Sequence, residues 1–249
     1  SGRGFAFLRE RGVEVVADVA RDAARAQHAA FFTWITLKRP FVIVKSAYSQ
    51  DGFVGEPDRR VKLTGAVADR YFHRQRAEID AIAVGSNTVL VDDPHLTVRL
   101  GDDAAFVPPL RVVLDPGLAT IARGHVREGD APTLYLHAPD VKPPRDMQAE
   151  RVAVPVQGGR FDLVAVLRLL GERGINEVQV ETGATLAGAF LADGLVDELL
   201  LYVAPVVLGE RARPLFEGLH IDDMTERLKM RIVESRRIGD DVRVLLRPD

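Results

Sequence analysis

The stretch from Arg76 to Arg99 brings together residue types that bind anions. An apolar run of strand length, Ala81 to Val84, ends at Gly85, a residue that allows the backbone to turn tightly. Ser, Asn and Thr follow the glycine, and the paired aspartates that begin at Asp92 come next. Open α/β sheets bind ligands where their strands end in polar turns. The segment therefore predicts an anion or nucleotide pocket. An ordinary strand and loop with surface charges is the alternative.

Two charged residues stand in otherwise apolar strands. Lys45 lies in the run FVIVKSA, and Glu181 ends the run VQVE. A buried charge is costly unless it is paired or reaches solvent at the end of its strand. Two opposite charges at the ends of core strands are typical of a pair that orients a polar substrate, but the pattern does not say whether these two residues lie together. The alternative for Lys45 is a side chain that extends from a strand edge into water.

Small residues fill the predicted turn between a strand and a helix from Gly183 to Gly188. Free N–H groups and the positive end of a helix make such a turn a phosphate site, and small side chains let a pyrophosphate approach closely. Helices that pack tightly on sheets also use small residues. The motif alone leaves both interpretations open.

The composition indicates an enzyme of one large domain plus an appendage. The chain has 249 residues, of which 47% are hydrophobic, and its net charge of −3 gives no basic field for nucleic acid or an anionic membrane. It has no cysteine, which excludes disulfides and thiolate chemistry. No apolar run approaches the roughly 20 residues that span a bilayer, and the first residues lack the apolar core of a signal peptide. Cytoplasm is the expected location.

From Phe41 the chain alternates strands and helices, as in an α/β sheet. A loop over Asp51 to Arg60 precedes the first helix, for which Thr64 is the candidate cap. Gly239, Asp240 and Asp241 turn a terminal hairpin, which favours a mixed sheet. The predicted strands are Phe41–Ala47, Ala81–Gly85, Arg111–Asp115, Thr133–His137, Val152–Val156, Glu177–Val180, Asp197–Ala204, Lys229–Arg237 and Val242–Arg247, and the helices are Ala66–Ala77, Phe161–Arg173 and Thr185–Asp193.

Residues 1–38 form a separate segment in this reading. The pattern predicts a helix that stops at Gly12, a short strand over Val13 to Val16, and a second helix over Asp18 to Thr36. Arg39 and Pro40 mark the boundary with the rest of the chain, because proline disfavours helix in the residue before it.

Four ordered segments resemble one known family, the reductase half of the bifunctional deaminase–reductase of riboflavin biosynthesis. They are KSAYSQDG from Lys45, KLTG from Lys62, the stretch from Arg76 to Arg99, and INEVQVETGATLAGAFLADGLVDELLLYVAPVVLG from Ile175. The resemblance implies a dihydrofolate-reductase-like fold. This is a three-layer α/β/α arrangement with a central mixed, mostly parallel sheet and a C-terminal β-hairpin.

The resemblance also implies an activity and a domain organisation. The reaction is the NADPH-dependent reduction of 5-amino-6-(5-phosphoribosylamino)uracil to its ribitylamino product, in a homodimer. Residues 39–249 correspond to the reductase domain, and residues 1–38 to the end of a deaminase domain with a linker helix. A zinc deaminase needs cysteine ligands, so this chain lacks the deaminase site. The apolar strand LLLYVAPVVL is either a dimer interface or a core strand.

Site residues carry over by position from the family. The resemblance implies that Lys45 and Glu181 lie at the substrate, where we expect them to hold the ribosyl hydroxyls and help to protonate the opening ring oxygen. Arginine suits the substrate phosphate because its planar fork donates two hydrogen bonds. The substrate-binding positions are Arg76, Leu96, Arg99 and Glu181, and the cofactor-binding positions are Ala47, Lys62, Thr88, Asp92, Pro116, Gly183, Ala184, Thr185, Leu186, Ala187 and Gly188. For Arg76, a solvated helix end near Glu78 is the alternative.

Several residues depart from the family pattern. Thr182 replaces a glycine, Lys62 stands where many members have tryptophan, and Gln50 and Tyr48 change the turn beside Ala47. These departures keep two alternatives open. One is a reductase of the same fold that acts on another pyrimidine, a pterin or another small carbonyl or imine. The other is a degenerate, non-catalytic domain.

The histidines predict no metal centre. His73 lies among arginines on a predicted helix, which is a poor setting for a cation. The remaining five are scattered along the sequence, namely His28, His95, His125, His137 and His220.

Overall fold

A computed structural model describes residues 2–56, 59, 61–101, 105–144, 149–181 and 183–249. The strands are β1 (Phe41–Ser49), β2 (Phe53–Gly55), β3 (Ala81–Gly85), β4 (Leu110–Leu114), β5 (Thr133–His137), β6 (Glu150–Ala153), β7 (Val156–Gln157), β8 (Arg160–Phe161), β9 (Glu177–Glu181), β10 (Glu198–Ala204), β11 (Arg213–Pro214), β12 (Met230–Ile238) and β13 (Asp241–Pro248). The helices are α1 (Arg3–Glu10), α2 (Arg21–Gln27), α3 (Ala29–Leu37), α4 (Ala66–Glu78), α5 (Ser86–Asp92), α6 (Leu163–Glu172) and α7 (Ala184–Ala192), with 3₁₀ turns at His125–Arg127 and Met224–Glu226.

A nine-stranded sheet in the order β12-β13-β10-β1-β9-β3-β4-β5-β6 organises the fold. Every pairing from β10 to β6 is parallel, and the β12–β13 hairpin adds an antiparallel edge. The predicted mixed, mostly parallel sheet with a terminal hairpin is therefore confirmed. Asp241 already pairs with Ile238, so the hairpin turn is shorter than predicted.

Helices cover both faces of the sheet, which makes three layers. On one face, α6 and α7 bury Leu167, Leu170 and Phe190 against the central strands. On the other face, Val89 of α5 and Ala68 of α4 are buried against the sheet. Apolar burial of this extent is the main source of stability for such a domain.

Two predicted boundaries are wrong for identifiable reasons. The strand Val152–Val156 ends early as β6, because Pro155 has no N–H to donate to a ladder. Val156 instead starts the small β7–β8 hairpin. Helix α6 starts later than predicted because the Asp162 side chain accepts a hydrogen bond from the N–H of Ala165 and caps the helix.

The predicted cap of α4 is also wrong. Gly65, rather than Thr64, is the N-cap residue, and it makes no side-chain cap. The Gly65 N–H donates to Asp241 Oδ2 at 2.9 Å. The start of α4 is thereby tied to the terminal hairpin.

Residues 2–38 fold differently from the prediction. No strand forms at Val13–Val16, and the predicted long helix divides into α2 and α3 at His28. Asp18 has φ +64°, a left-handed conformation that does not start a right-handed helix. None of the residues of α1, α2 and α3 is buried. The contact of α3 with the sheet domain includes Trp34, which closely approaches Gly171 of α6.

No helix among the described residues is long and apolar enough to cross a membrane.

Candidate active site

Two adjoining clefts open beside the carboxyl ends of the central parallel strands. The charged cleft has a volume of about 460 Å³ and contains Lys45, Arg76 and Glu181. The second has a volume of about 620 Å³ and is bordered by the β7–β8 hairpin, so we call it the hairpin cleft. Both are lined by Asn87, Thr88, Gly183 and Arg213. Ligands of open α/β sheets bind at this edge.

The register of the sheet puts Lys45 beside Glu181. The two residues are paired positions of the parallel strands β1 and β9. Lys45 Nζ lies 3.9 Å from Glu181 Oε2, and both side chains are nearly buried. The predicted proximity of the two residues is thus confirmed. The ammonium group also lies 3.6 Å from the centroid of the Phe72 ring, a cation–π contact that the sequence did not indicate.

Arg76 binds the same carboxylate. Its Nε and Nη2 donate to the two oxygens of Glu181 at 2.6 and 2.7 Å, and its Nη1 donates to the carbonyl of Thr97 at 3.1 Å. The alternative of a solvated helix end is wrong, because the Arg76 side chain is only 12% exposed. The fork predicted to hold a phosphate holds Glu181, so in this structure Arg76 positions the carboxylate.

The electrostatics keep Glu181 ionised. Burial raises the pKa of its carboxyl, but Arg76 and Lys45 outweigh burial and lower it to about 2. Gln179, missed in the sequence, donates a further hydrogen bond to Glu181 at 2.9 Å. Burial lowers the pKa of the Lys45 ammonium, an effect opposed by Glu181. Two cations share one carboxylate, so this cluster carries a surplus positive charge.

The loop after α5 forms one wall of the charged cleft. Leu96 is buried there at φ +51°, and Asp93 has φ +43°. Left-handed backbone in non-glycine residues is strained and concentrates at functional sites. The Arg99 main-chain N–H donates to His73 Nδ1 at 3.2 Å, and Arg99 Nη1 donates to Thr97 Oγ1.

His73 is a cleft residue that the sequence only partly revealed. Burial and the nearby Arg99 and Arg76 lower its pKa to about 4, so the imidazole is neutral at pH 7 and accepts the hydrogen bond from Arg99. Arg76, which lies near His73 in the sequence, contributes to the lowered pKa. Burial and Arg99 contribute the rest, because α4 packs His73 against the loop that contains Arg99.

The predicted cofactor positions divide into three groups. Those in the charged cleft are Ala47, Lys62, Thr88, Asp92 and Gly183, and those in the hairpin cleft are Thr88, Pro116, Gly183, Thr185 and Leu186. The third group lines neither cleft and consists of Ala184, Ala187 and Gly188. Lys62 is exposed and pairs with Asp69 at 2.7 Å.

Packing accounts for the third group. A Cβ at Gly188 would lie 2.0 Å from the carbonyl oxygen of Glu217, and Ala184 and Ala187 are buried. The absence of a side chain at Gly188 therefore allows the close approach of the chain around Glu217 to α7, and the two alanines pack in the interior. The Glu217 side chain also accepts from Thr185 Oγ1 at 2.7 Å and pairs with Arg213 at 3.2 Å. Thr182, the departure from the family turn, lies outside the described residues.

The start of α7 lies beside the clefts. Gly183 is its extended N-cap residue and makes no side-chain cap. The first N–H groups of a helix have no partner within the helix, and its dipole favours an anion there. In the hairpin cleft, Gly158 and Gly159 form a turn with positive φ, and Arg160 follows them. This hairpin was not predicted from the sequence, although a Gly-Gly pair is a strong turn signal.

Two further predictions need correction or refinement. The histidines are not all scattered, because the rings of His95 and His125 lie 4.4 Å apart between centroids. The strand LLLYVAPVVL is core rather than surface over β10, where Leu200 and Tyr202 have no exposed surface. Within β10 only Val203 is partly exposed, and Val207 beyond the end of the strand is 73% exposed.

Comparison with known proteins adds a family context. A model of the RibD C-terminal domain matches residues 40–244. The riboflavin biosynthesis protein RibD of Aquifex aeolicus is 33% identical over 97% of this chain and 67% of its own length. The 2,5-diamino-6-ribosylamino-4(3H)-pyrimidinone 5′-phosphate reductase of Methanothermobacter thermautotrophicus is 36% identical, over 82% of this chain and 96% of its own.

Among solved structures, the Thermotoga maritima diaminohydroxyphosphoribosylaminopyrimidine deaminase/5-amino-6-(5-phosphoribosylamino)uracil reductase superposes with a TM-score of 0.84 at 27% identity. The match covers 99% of this chain and 67% of that one.

Proposed function

This chain belongs to the RibD C-terminal domain family, and we propose that it is an oxidoreductase that reduces 5-amino-6-(5-phosphoribosylamino)uracil to its ribitylamino product. The observation that carries the proposal is the buried cluster of Lys45, Arg76 and Glu181 beside the two adjoining clefts. Its surplus positive charge suits a phosphorylated sugar, and its ionised carboxylate suits sugar hydroxyls.

We propose NADPH as the hydride donor. The hairpin cleft fits a dinucleotide, because Gly158, Gly159 and Gly183 expose main chain to a ligand without side chains in the way. Arg160 and Arg213 line the same cleft and favour a cofactor with an additional phosphate. The bound nicotinamide supplies the hydride, and the protein supplies binding and orientation.

The chemistry that remains for the protein is ring opening. The lone pair of the glycosidic nitrogen forms the C1′=N bond as the bond from C1′ to the ring oxygen breaks, and the ring oxygen takes a proton. We propose that Lys45 Nζ donates this proton and that the Glu181 carboxylate accepts hydrogen bonds from the ribosyl hydroxyls. A lysine whose pKa is lowered by burial is a better proton donor near neutral pH than an exposed lysine.

The cofactor proposal is tested by fluorescence titration of the purified chain with NADPH and with NADH, each with and without ribose 5-phosphate. We expect micromolar NADPH binding that ribose 5-phosphate does not displace. Cofactor binding without fragment binding would point to a different substrate. Failure to bind either cofactor would favour the non-catalytic alternative.

A second substrate is favoured by one observation. The Methanothermobacter relative is named for a 2,5-diaminopyrimidinone, which has an amino group where the uracil compound has an oxygen. Initial rates with the two compounds decide between them, since a difference of one hydrogen-bonding group changes specificity strongly in a site built to bind it. A higher kcat/KM for the diamino compound would reassign the substrate and leave the reaction type intact.

We also propose that residues 1–38 are the end of a deaminase domain and a linker. The family model starts only at residue 40, whereas the bifunctional Thermotoga maritima enzyme matches 99% of the chain. Exposed apolar side chains of α1 and α3, such as Phe5, Phe7 and Phe31, support this proposal, because such side chains mark a contact surface. We also propose that the chain forms a homodimer. Its interface lies away from β10, because that strand is buried within the chain.

A further inference from the structure

Outside the two clefts, two histidines and a carboxylate converge on the surface. His95 lies in the loop after α5, and His125 begins the 3₁₀ turn that Glu128 follows. Each residue offers one possible ligand atom, and these atoms lie within 4.8 Å of one another. The two imidazole rings are tilted by 32°. His125 and Glu128 are three residues apart in sequence, whereas His95 is brought to them only by the fold.

A buried arginine holds the backbone on which two of these side chains stand. Arg111 is 1% exposed, and its guanidinium donates to the carbonyl oxygens of His95 at 3.2 Å and Glu128 at 2.8 Å. It also donates to the carbonyl of Ala131. The loop and the turn are therefore fixed relative to each other, while the side chains of His95 and Glu128 remain free to adjust.

Asp93 orients the second histidine. One of its carboxylate oxygens accepts the main-chain N–H of His125 at 2.7 Å. His125 Nδ1 lies 2.7 Å from the other carboxylate oxygen and 3.3 Å from the Asp93 main-chain carbonyl oxygen. A histidine that donates Nδ1–H to a carboxylate presents Nε2 as a ligand, an arrangement common in metal sites. Gly124, at φ +90°, permits this contact, because a Cβ there would lie 3.2 Å from the Asp93 carboxylate.

We propose that His95, His125 and Glu128 bind a divalent transition metal ion of the zinc class, with Asp93 as the outer carboxylate that orients His125. Two imidazoles and a carboxylate are ligands that Zn²⁺, Co²⁺ and Ni²⁺ accept, whereas Mg²⁺ and Ca²⁺ require oxygen. Ligand atoms around zinc are about 3.4 Å apart, given bonds of roughly 2.1 Å. The side chains of His95 and Glu128 are 46% and 62% exposed and can rotate to close that gap.

The bound ion would link the loop of the charged cleft to the turn behind it. Asp92, Pro94 and Leu96 line the charged cleft on either side of His95. A ligand that binds only the folded state raises the melting temperature by mass action. We therefore expect Zn²⁺ to stabilise the protein and to restrict this loop.

The test is calorimetric titration of the untagged chain with Zn²⁺. The chain has no cysteine, so no thiolate competes for the ion. We expect one site of micromolar affinity, weakened at least about tenfold by His95→Gln and by His125→Ala, and less by Glu128→Gln. The matched control is His220→Ala, because His220 is an exposed histidine elsewhere on the chain. Its affinity should equal that of the unsubstituted protein.

Two further measurements separate this site from unspecific binding. Co²⁺ should give a visible d–d absorption that His125→Ala abolishes, and Mg²⁺ should give no heat. Circular dichroism melts without metal verify that each variant folds. Equal Zn²⁺ affinity in the unsubstituted protein and in both histidine variants, or no Zn²⁺ binding at all, would overturn the proposal.

Discussion

The two ends of the ladder between β1 and β9 carry nearly buried ion pairs of different design. At its start, Arg39 makes two hydrogen bonds to Asp197, at 2.5 and 3.0 Å, and Asp197 also accepts the N–H of Val42. At its end, Lys45 and Arg76 share Glu181. The first pair is balanced, with one cation for one anion. The second has one cation more than it has carboxylates.

Burial does not distinguish the two ends. The side chains of Arg39 and Asp197 are 15% and 17% exposed, and those of Lys45 and Glu181 are 11% and 10% exposed. A balanced, fully hydrogen-bonded pair serves the fold, because each group satisfies the other. An unbalanced cluster at a cleft has one positive charge that is not neutralised by a carboxylate, and this charge can bind an anionic ligand. Charge balance, rather than burial, therefore separates the structural pair from the functional cluster.

The largest expected effect comes from removing the surplus cation. Lys45→Met should lower kcat/KM by roughly 10²–10⁴, the usual contribution of a positioned proton donor. Thermal stability should stay equal or rise, since Arg76 and Glu181 remain balanced. Steady-state kinetics and a thermal melt measure both quantities. Normal turnover by Lys45→Met would remove the proposed role of this residue.

Removing the carboxylate of the balanced pair should have the opposite result, which is a loss of stability without a loss of activity. Asp197→Ala leaves Arg39 without its carboxylate and should destabilise the protein by about 3 kcal/mol or more. The kcat of the folded fraction should be unchanged. Urea unfolding monitored by circular dichroism gives the first quantity, and assays at low temperature give the second. A loss of kcat without a loss of stability would show that the two ends are not separable.

Acid should weaken the functional end. The pKa of Glu181 falls from 4.5 to about 2 on folding, so its contribution to stability is present above pH 4.5 and is lost as the pH falls toward 2. The shift corresponds to about 3 kcal/mol. Unfolding free energies at pH 5 and pH 3 should therefore differ less in Glu181→Gln than in the unsubstituted chain. An identical pH dependence in both proteins would contradict the assignment.

The smallest effect should come from the exposed rim of the charged cleft. Arg99→Ala should raise KM for the phosphorylated substrate about tenfold, near the value of one charge-assisted hydrogen bond, with kcat little changed. The dephosphorylated substrate should show no such difference between the two proteins. A matched control is Arg231→Ala, on the β12–β13 hairpin. Equal KM changes for both substrates would assign Arg99 a structural role.

The sequence pattern was sufficient for most of the sheet, whereas the proximity of Lys45 and Glu181 was inferred from the family resemblance. Apolar runs define the strands, and a charge at the end of such a run must find a partner or solvent. Arg76 shows where this reasoning stops, because its partner depends on how α4 is rotated against the loop at Thr97. The proximity of His95 and His125 depends on the carbonyl groups that Arg111 collects, and local pattern contains no sign of it.

Other differences from the predicted elements have local signals in the sequence. Pro155 interrupts a predicted strand, and Gly158 and Gly159 mark a hairpin. The small residues of α7 left two interpretations open, and burial supports packing for Ala184, Ala187 and Gly188. The prediction for residues 1–38 was wrong for a different reason. The helices of this segment have apolar periodicity, but none of their residues is buried against the described part of the chain.

Gly188 restricts which sequences this part of the molecule can accept. Any other amino acid would drive its Cβ into the Glu217 carbonyl, and Glu217 holds both Thr185 and Arg213 at the clefts. Residues around this position can be varied to change the cofactor preference, but position 188 itself accepts only glycine. In a randomised library selected for reductase activity, we therefore expect glycine at 188 in the survivors, whichever cofactor the selection supplies.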